Sequence, residues 1–281
     1  MIDPIGSNLT DSALPSLLID EAELAHAVRQ ERLELVYEVA WSALSMSVDS
    51  VEASATLQLP RGGSLSGPEL MLAASQAGLD LEVDKAIMAH ALCTACELAE
   101  SGLGTTLSFS VSPRSLSDRH FVDRLLAMLR RSRLTPGQVA IDLNESMLMN
   151  SLDYSMTVLT DLREAGIRTS INEFGLGRSS PYWLARLPLS SVKISSDLLR
   201  EPDRRGSSYG LVKCMATYGH ALGLLVVAKG VETPEQLKGV TEAGVDVVQG
   251  PVVTRPLTAA SLPRFLGTSS RVPRRPTPLS T

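Results

Sequence analysis

Aromatic residues make up only 4% of this 281-residue chain, so its core must rest on Leu, Val, Ile and Ala. Cysteine is scarce as well: Cys93, Cys96 and Cys214 are the three present. Cys93 and Cys96 form a C-x-x-C, but it lies inside the helical stretch "DKAIMAHALCTACELAES". No second C-x-x-C follows and no histidine stands at ligand spacing in the same element, so these cysteines read as reduced core residues. Long apolar runs are missing too. Nothing is long enough to span a bilayer, and no charged-then-apolar leader opens the chain, so the expectation is a cytoplasmic protein without membrane contact. A basic excess is also lacking: the net charge of −5 gives no electrostatic case for direct nucleic-acid binding. His26, His90, His120 and His220 all fall away from candidate strand ends, and no Ser/His/Asp constellation appears.

What is present is a hydrophobic content of 44% against 20% charged residues, enough to bury a sizeable core. Residues 1–19 read as a flexible extension and 267–281, rich in Pro and Arg, as a disordered tail, a solubilising end or a contact for an acidic partner. Between them, from 20 to 266, strand-like and helix-like segments alternate. The strand candidates are "LELVYEVAWS", "SVEASATLQL", "TTLSFSVS", "QVAIDL", "IRTSIN", "SVKIS", "LLVVAK" and "VDVVQ". Helices are expected over 66–77, 80–101, 118–132, 152–165, 207–222, 233–243 and 257–266, the third starting at Ser117 as N-cap. Strands separated mostly by helices, at a length near 250 residues, point to an α/β fold of the closed (β/α)8 TIM-like type. An open doubly wound sheet is the alternative, but no G-x-G-x-x-G follows the first strand. In a barrel the chemistry gathers at the C-terminal strand ends. Here these carry Glu52, Ser110, Asp142 with Glu145, Asn172-Glu173, Lys193, Lys229 with Glu232, and Gln249.

Six segments in order, "VEASA", "IDLNES", "INEFGLGRSS", "RLPLSSVKIS", "AKGVETPEQL" and "VDVVQGPVVTRPL", resemble the EAL domain family. The resemblance runs from about residue 20 to 266. It implies a (β/α)8-type barrel with an irregular first strand, and active members are bacterial phosphodiesterases that linearise cyclic di-GMP. Their implied mechanism uses carboxylates to hold two Mg²⁺ or Mn²⁺ ions, with a lysine positioning or deprotonating the attacking water. Carried over residue by residue, Glu52, Glu145, Lys193, Glu232 and Gln249 match the family pattern.

Other positions depart from it. The metal-binding asparagine falls on Ser110, a glutamate on the shorter Asp142, and the bridging aspartate on the neutral Asn172, followed by the longer Glu173. The first glutamate of Ala-Glu-Gly-Val-Glu is Lys229, which reverses a charge at the metal cluster. At about 4 Å, such a charge is worth on the order of 4 kcal/mol at an effective dielectric near 20. Two metals are therefore not expected, and neither is a cofactor. Lys229 reads either as a built-in counter-ion for Glu52, Asp142 or Glu173, or as a solvated lysine. The arginine after the name-giving segment is Thr56, the first-strand Tyr-Gln-Pro reads Tyr37-Glu38-Val39, and the loop tyrosine is Arg178. Any remaining nucleotide contact would fall to Lys193, Lys229, Gln249 and Arg178.

The resulting expectation is a catalytically inactive, EAL-like regulatory protein in bacterial signalling. It would act through a protein partner such as a transcription regulator or signalling protein, and a homodimer is compatible with the resemblance. Alternatives are a non-hydrolysing cyclic di-GMP receptor and a weak phosphodiesterase.

Overall fold

The computed structural model describes residues 21–29, 32–59, 62–144, 152–175, 181–200 and 208–269. β1 (Leu33–Ser42) and β2 (Val48–Gln58) form an antiparallel hairpin, with Glu38 opposite Glu52. β3 (Ser64–Ser66) is a short antiparallel flap on β2. From β2 the sheet continues in parallel through β4 (Thr106–Ser110), β5 (Val139–Asn144), β6 (Arg168–Phe174), β7 (Ser191–Ile194), β8 (Leu225–Ala228) and β9 (Val247–Gln249). β9 then pairs antiparallel with β1, which closes the barrel, and β10 (Leu257–Thr258) adds to β1 outside it. All eight expected strands are therefore found. The irregular first strand is the hairpin itself, since β1 meets both neighbours antiparallel.

Strand periodicity sorts every side chain to one of two faces. Leu107 and Phe109 of β4, Val192 and Ile194 of β7, and Val226 and Ala228 of β8 are fully buried against the helical layer. The alternate residues, Ser108, Lys193 and Val227, face the lumen. Tyr37 shows how one face orders the other: its hydroxyl meets Thr94 Oγ1 at 2.7 Å on the helix Asp80–Glu100. That anchor turns its neighbour Glu38 inward.

Three helical or cysteine expectations need correction. The helix expected from 118 is Phe121–Arg131, preceded by His120, while Ser117 donates to Pro113 O. Asp118 explains the delay, because its Oδ1 accepts the His120 N–H and holds a turn there. The segment expected as helix 257–266 begins as β10 and becomes helical only over Leu262–Ser269. All three cysteines are free, but Cys93 and Cys214 are exposed, and only the half-buried Cys96 packs against the core. Cys96 also donates to Ser132 O at 3.1 Å, and Cys93 to Glu97.

The ends of β8 and β9 are knitted together by backbone. Val231 N–H donates to Gln249 O at 3.0 Å and Val252 N–H to Val231 O at 3.0 Å. Gly250 sits at φ +140°, and a Cβ there would lie 2.5 Å from Val231 N. Both the backbone angle and the contact require glycine. Gly250→Ala should cost on the order of 2 kcal/mol, read as a lowered thermal midpoint. An unchanged midpoint would show that this junction is slack.

Candidate functional site

The lumen mixes small residues with the branched apolar ones that usually fill a TIM-type barrel. Ser108, Ser170, Ser191 and Ala140, with Val227 and Val247, line a cavity of about 50 Å³ beneath the mouth. Above it the inward residues are charged, and they meet.

Lys193 projects from the middle of β7 with 7% of its surface exposed. Its Nζ donates to Glu52 Oε2 at 2.9 Å and to Asp142 Oδ2 at 2.6 Å. Lys229 lies one residue beyond β8, where alternation again turns the side chain inward, and its Nζ donates to Glu52 Oε1 at 2.8 Å. Gln249 Nε2 bridges the hairpin pair, donating at 3.0 Å to both Glu52 Oε2 and Glu38 Oε2. Ser170 Oγ donates to Asp142 Oδ1, so Asp142 has a donor on each oxygen. Glu52 and Asp142 are buried, and the cluster ties together β1, β2, β5, β6, β7, β8 and β9.

The electrostatics follow from this arrangement. Burial opposes the charged form of Glu52, but the ammonium groups of Lys193 and Lys229 outweigh it and hold the carboxyl well below the usual carboxylate range. For Lys193, burial likewise opposes the charge, and Asp142 and Glu52 outweigh it, raising the ammonium above its ordinary value. Glu52 and Lys193 thus meet as a charged, hydrogen-bonded pair and not as neutralised groups.

Of the residues expected at the site, Glu52, Asp142, Lys193, Lys229 and Gln249 converge. Ser110 and Asn172 stand beside them, joined by a long contact of 3.5 Å from Asn172 Nδ2 to Ser110 Oγ. Asn172 is 6% exposed, and among the described residues its Oδ1 has no hydrogen-bond partner. Glu173 does not converge: it is exposed, at φ +58°. Glu232 is exposed at the start of the helix Pro234–Glu242, where its backbone N–H donates to Gln236 Oε1 at 2.6 Å. Glu145 and Arg178 lie outside the described residues, and Thr56 is on β2. The sequence reading gave Ser170 no role. Its signal was positional, two residues before Asn172 on the same face of β6 and opposite Asp142 in register.

A closed eight-stranded α/β barrel with acidic and lysine side chains gathered at the C-terminal strand ends defines a class of site, and the comparisons specify it. The EAL domain profile matches residues 21–256, and the chain belongs to the EAL domain family. It is 28% identical over 249 residues to the signaling protein YkoW of Bacillus subtilis, covering 89% of this chain and 31% of YkoW. It is 29% identical over 248 residues to the cyclic di-GMP phosphodiesterase NbdA of Pseudomonas aeruginosa, covering 88% of this chain and 32% of NbdA. The chain thus spans about a third of the length of these curated relatives. Among solved structures, the PaMucR phosphodiesterase in its c-di-GMP complex superposes with a TM-score of 0.81 at 27% identity, covering 86% of this chain and 98% of that one. Among the described residues, no helix is long and apolar enough to cross a membrane.

The pH dependence can be signed. The depressed Glu52 contributes stability that is present above the unfolded carboxylate value near 4.3 and lost as pH falls towards its folded value. The raised Lys193 contributes below about 10.4, and that share is lost only as pH rises past its folded value. Glu52→Gln takes from Lys229 its carboxylate and leaves Lys193 with Asp142 alone, and should cost about 3–5 kcal/mol at neutral pH. The gap to the unmodified protein should narrow as pH falls below about 4, because Glu52 takes up a proton in the unfolded chain while the folded carboxylate resists it. Thermal midpoints across pH check this, and a gap independent of pH would contradict it.

Proposed function

We propose that this chain is an EAL domain that does not hydrolyse cyclic di-GMP and serves as a regulatory module acting through protein contacts. The observation that carries the reading is that both Glu52 oxygens accept from lysine ammonium groups, at 2.8 and 2.9 Å. The family resemblance implies two divalent cations at this mouth. The residues present do not fit them. Glu52 and Asp142 have their oxygens taken by Lys193, Lys229, Gln249 and Ser170. Asn172 brings a neutral oxygen where a bridging carboxylate is implied, and Ser110 a hydroxyl. Lys229 supplies within hydrogen-bonding distance the positive charge that a metal would bring. A hard divalent ion needs anionic oxygen to offset its dehydration, and here the nearest anion is already matched by two cations.

With hydrolysis unsupported, the retained barrel still offers a rigid surface, which favours recognition of another protein. A second reading, a non-hydrolysing cyclic di-GMP receptor, is favoured by one feature. Lys229 is 25% exposed and Nζ carries three donors, of which Glu52 takes one. A phosphate could accept from the others.

In a turnover assay with Mn²⁺ and cyclic di-GMP, no linear dinucleotide should form. Lys229→Glu should raise Mn²⁺ affinity by at least about tenfold, because it removes a cation and restores a carboxylate. Steady production of linear product by the unmodified chain would sink the proposal. Saturable binding of cyclic di-GMP without turnover would favour the receptor reading.

A further inference from the structure

One buried acid stands apart from the mouth cluster. Asp84, on the helix Asp80–Glu100, is 0% exposed and sits among the buried Val83, Ile87 and Met88. Helical spacing puts these positions on the packed side of the helix. The Asp84 Oδ2 accepts the Ser112 N–H at 2.9 Å and the Ser112 hydroxyl at 2.6 Å. Ser112 lies two residues beyond β4, and its Oγ accepts the Ser115 N–H at 3.1 Å as the cap of the short helix Pro113–Leu116. One carboxyl oxygen thus fixes the corner by which the chain leaves the mouth.

The other oxygen is unmet. Among the described residues Asp84 Oδ1 has no hydrogen-bond partner, and Asp84 makes no ion pair. The charged groups around it are few. Asp80, one turn earlier, is a second buried acid, and Arg114 of the short helix stands 4.0 Å from Asp80 Oδ2 and donates to Gly78 O at 3.2 Å. Glu82 and Lys85 of the long helix are exposed, and the segment from Thr106 to Pro113 carries no charge. An ionised carboxylate buried without a cation is costly, whereas a neutral carboxyl there leaves only an unpaired hydroxyl. Glu52 is the contrast, since two ammonium groups meet it. Burial raises the Asp84 carboxyl above its ordinary value, Asp80 adds to the rise, and the donors of Ser112 and Ser115 only partly offset it.

We propose that Asp84 is a proton-operated latch on the corner between β4 and the helix Pro113–Leu116. With a proton on Oδ1, the neutral carboxyl keeps Oδ2 for Ser112 and the corner stays closed. When the proton leaves, the carboxylate is solvated only by water entering at Oδ1, and the corner loosens. The sign follows: the folded group binds its proton more tightly than the unfolded one, so its share of stability falls as pH rises from about 3.9 through the folded value. The latch acts on the β4 side of the mouth whether or not the site hydrolyses.

Asp84→Asn keeps the shape of the protonated acid and cannot ionise. The test is amide hydrogen exchange at Ser112 and Ser115 between about pH 4 and 8, corrected for the intrinsic pH dependence of exchange. In the unmodified chain, protection at both amides should fall at least about tenfold as pH rises, the equivalent of one pKa unit. In D84N it should stay level, and the thermal midpoint of D84N should gain on that of the unmodified chain above about pH 4 before the gain levels off. Level protection in the unmodified chain, or an equal fall in D84N, overturns the proposal. If D84N does not fold, carboxyl carbon NMR of the unmodified chain reads Asp84 directly. Titration above about 3.9 supports the latch, and titration at or below it overturns the latch.

Discussion

Glu52 is held from two sides, by Lys193 on β7 and Lys229 beyond β8, and the rest of the mouth is arranged around that clamp. Two buried acids and a buried lysine are costly to desolvate, and breaking such a set by removing one partner leaves an uncompensated charge. The cost is met because no acid in the cluster lacks a donor. Asp142 is shared between Lys193 and Ser170, and Glu38 and Glu52 share the amide of Gln249. Seven strands are tied to this one group, in which the buried acids Glu52 and Asp142 are matched by Lys193 and Lys229, and Glu38 is the one acid in excess.

Most of the fold was legible in the sequence because barrel strands alternate two environments, and that alternation survives in segments such as "SVKIS" and "TTLSFSVS". The hairpin start was legible only through the family resemblance, since strand periodicity does not state direction. Helix starts were less legible. Asp118 competes for backbone donors ahead of the helix at Phe121, a local contact that apolar spacing does not report. The cysteines were misplaced because a helical C-x-x-C in an apolar stretch reads as core, whereas Cys93 falls on the solvent side of its helix.

At the site, the position of each strand-end residue was legible, but its partner was not. Lys229 had three candidate carboxylates, and the structure pairs it with Glu52. Glu173 drops out because it follows the inward-facing Asn172 within β6, where the register is irregular and its left-handed backbone leaves the side chain exposed. Ser170 was passed over because a serine on a strand has no signature until the facing strand supplies Asp142. The retained Phe174-Gly175 has an explanation apart from chemistry: a Cβ on Gly175 would lie 2.4 Å from Met215 Cε, at φ +103°. The left-handed backbone at Gly175 itself favours glycine, a reason independent of the chemistry at Asn172.

The central claim is that lysine, not metal, balances the mouth. Calorimetric titration of the unmodified chain with Mn²⁺ tests it most directly. The account predicts no saturable heat at micromolar to low millimolar Mn²⁺ and no rise in thermal midpoint. Saturable binding of two ions per chain, with a raised midpoint that Glu52→Gln abolishes, would contradict it.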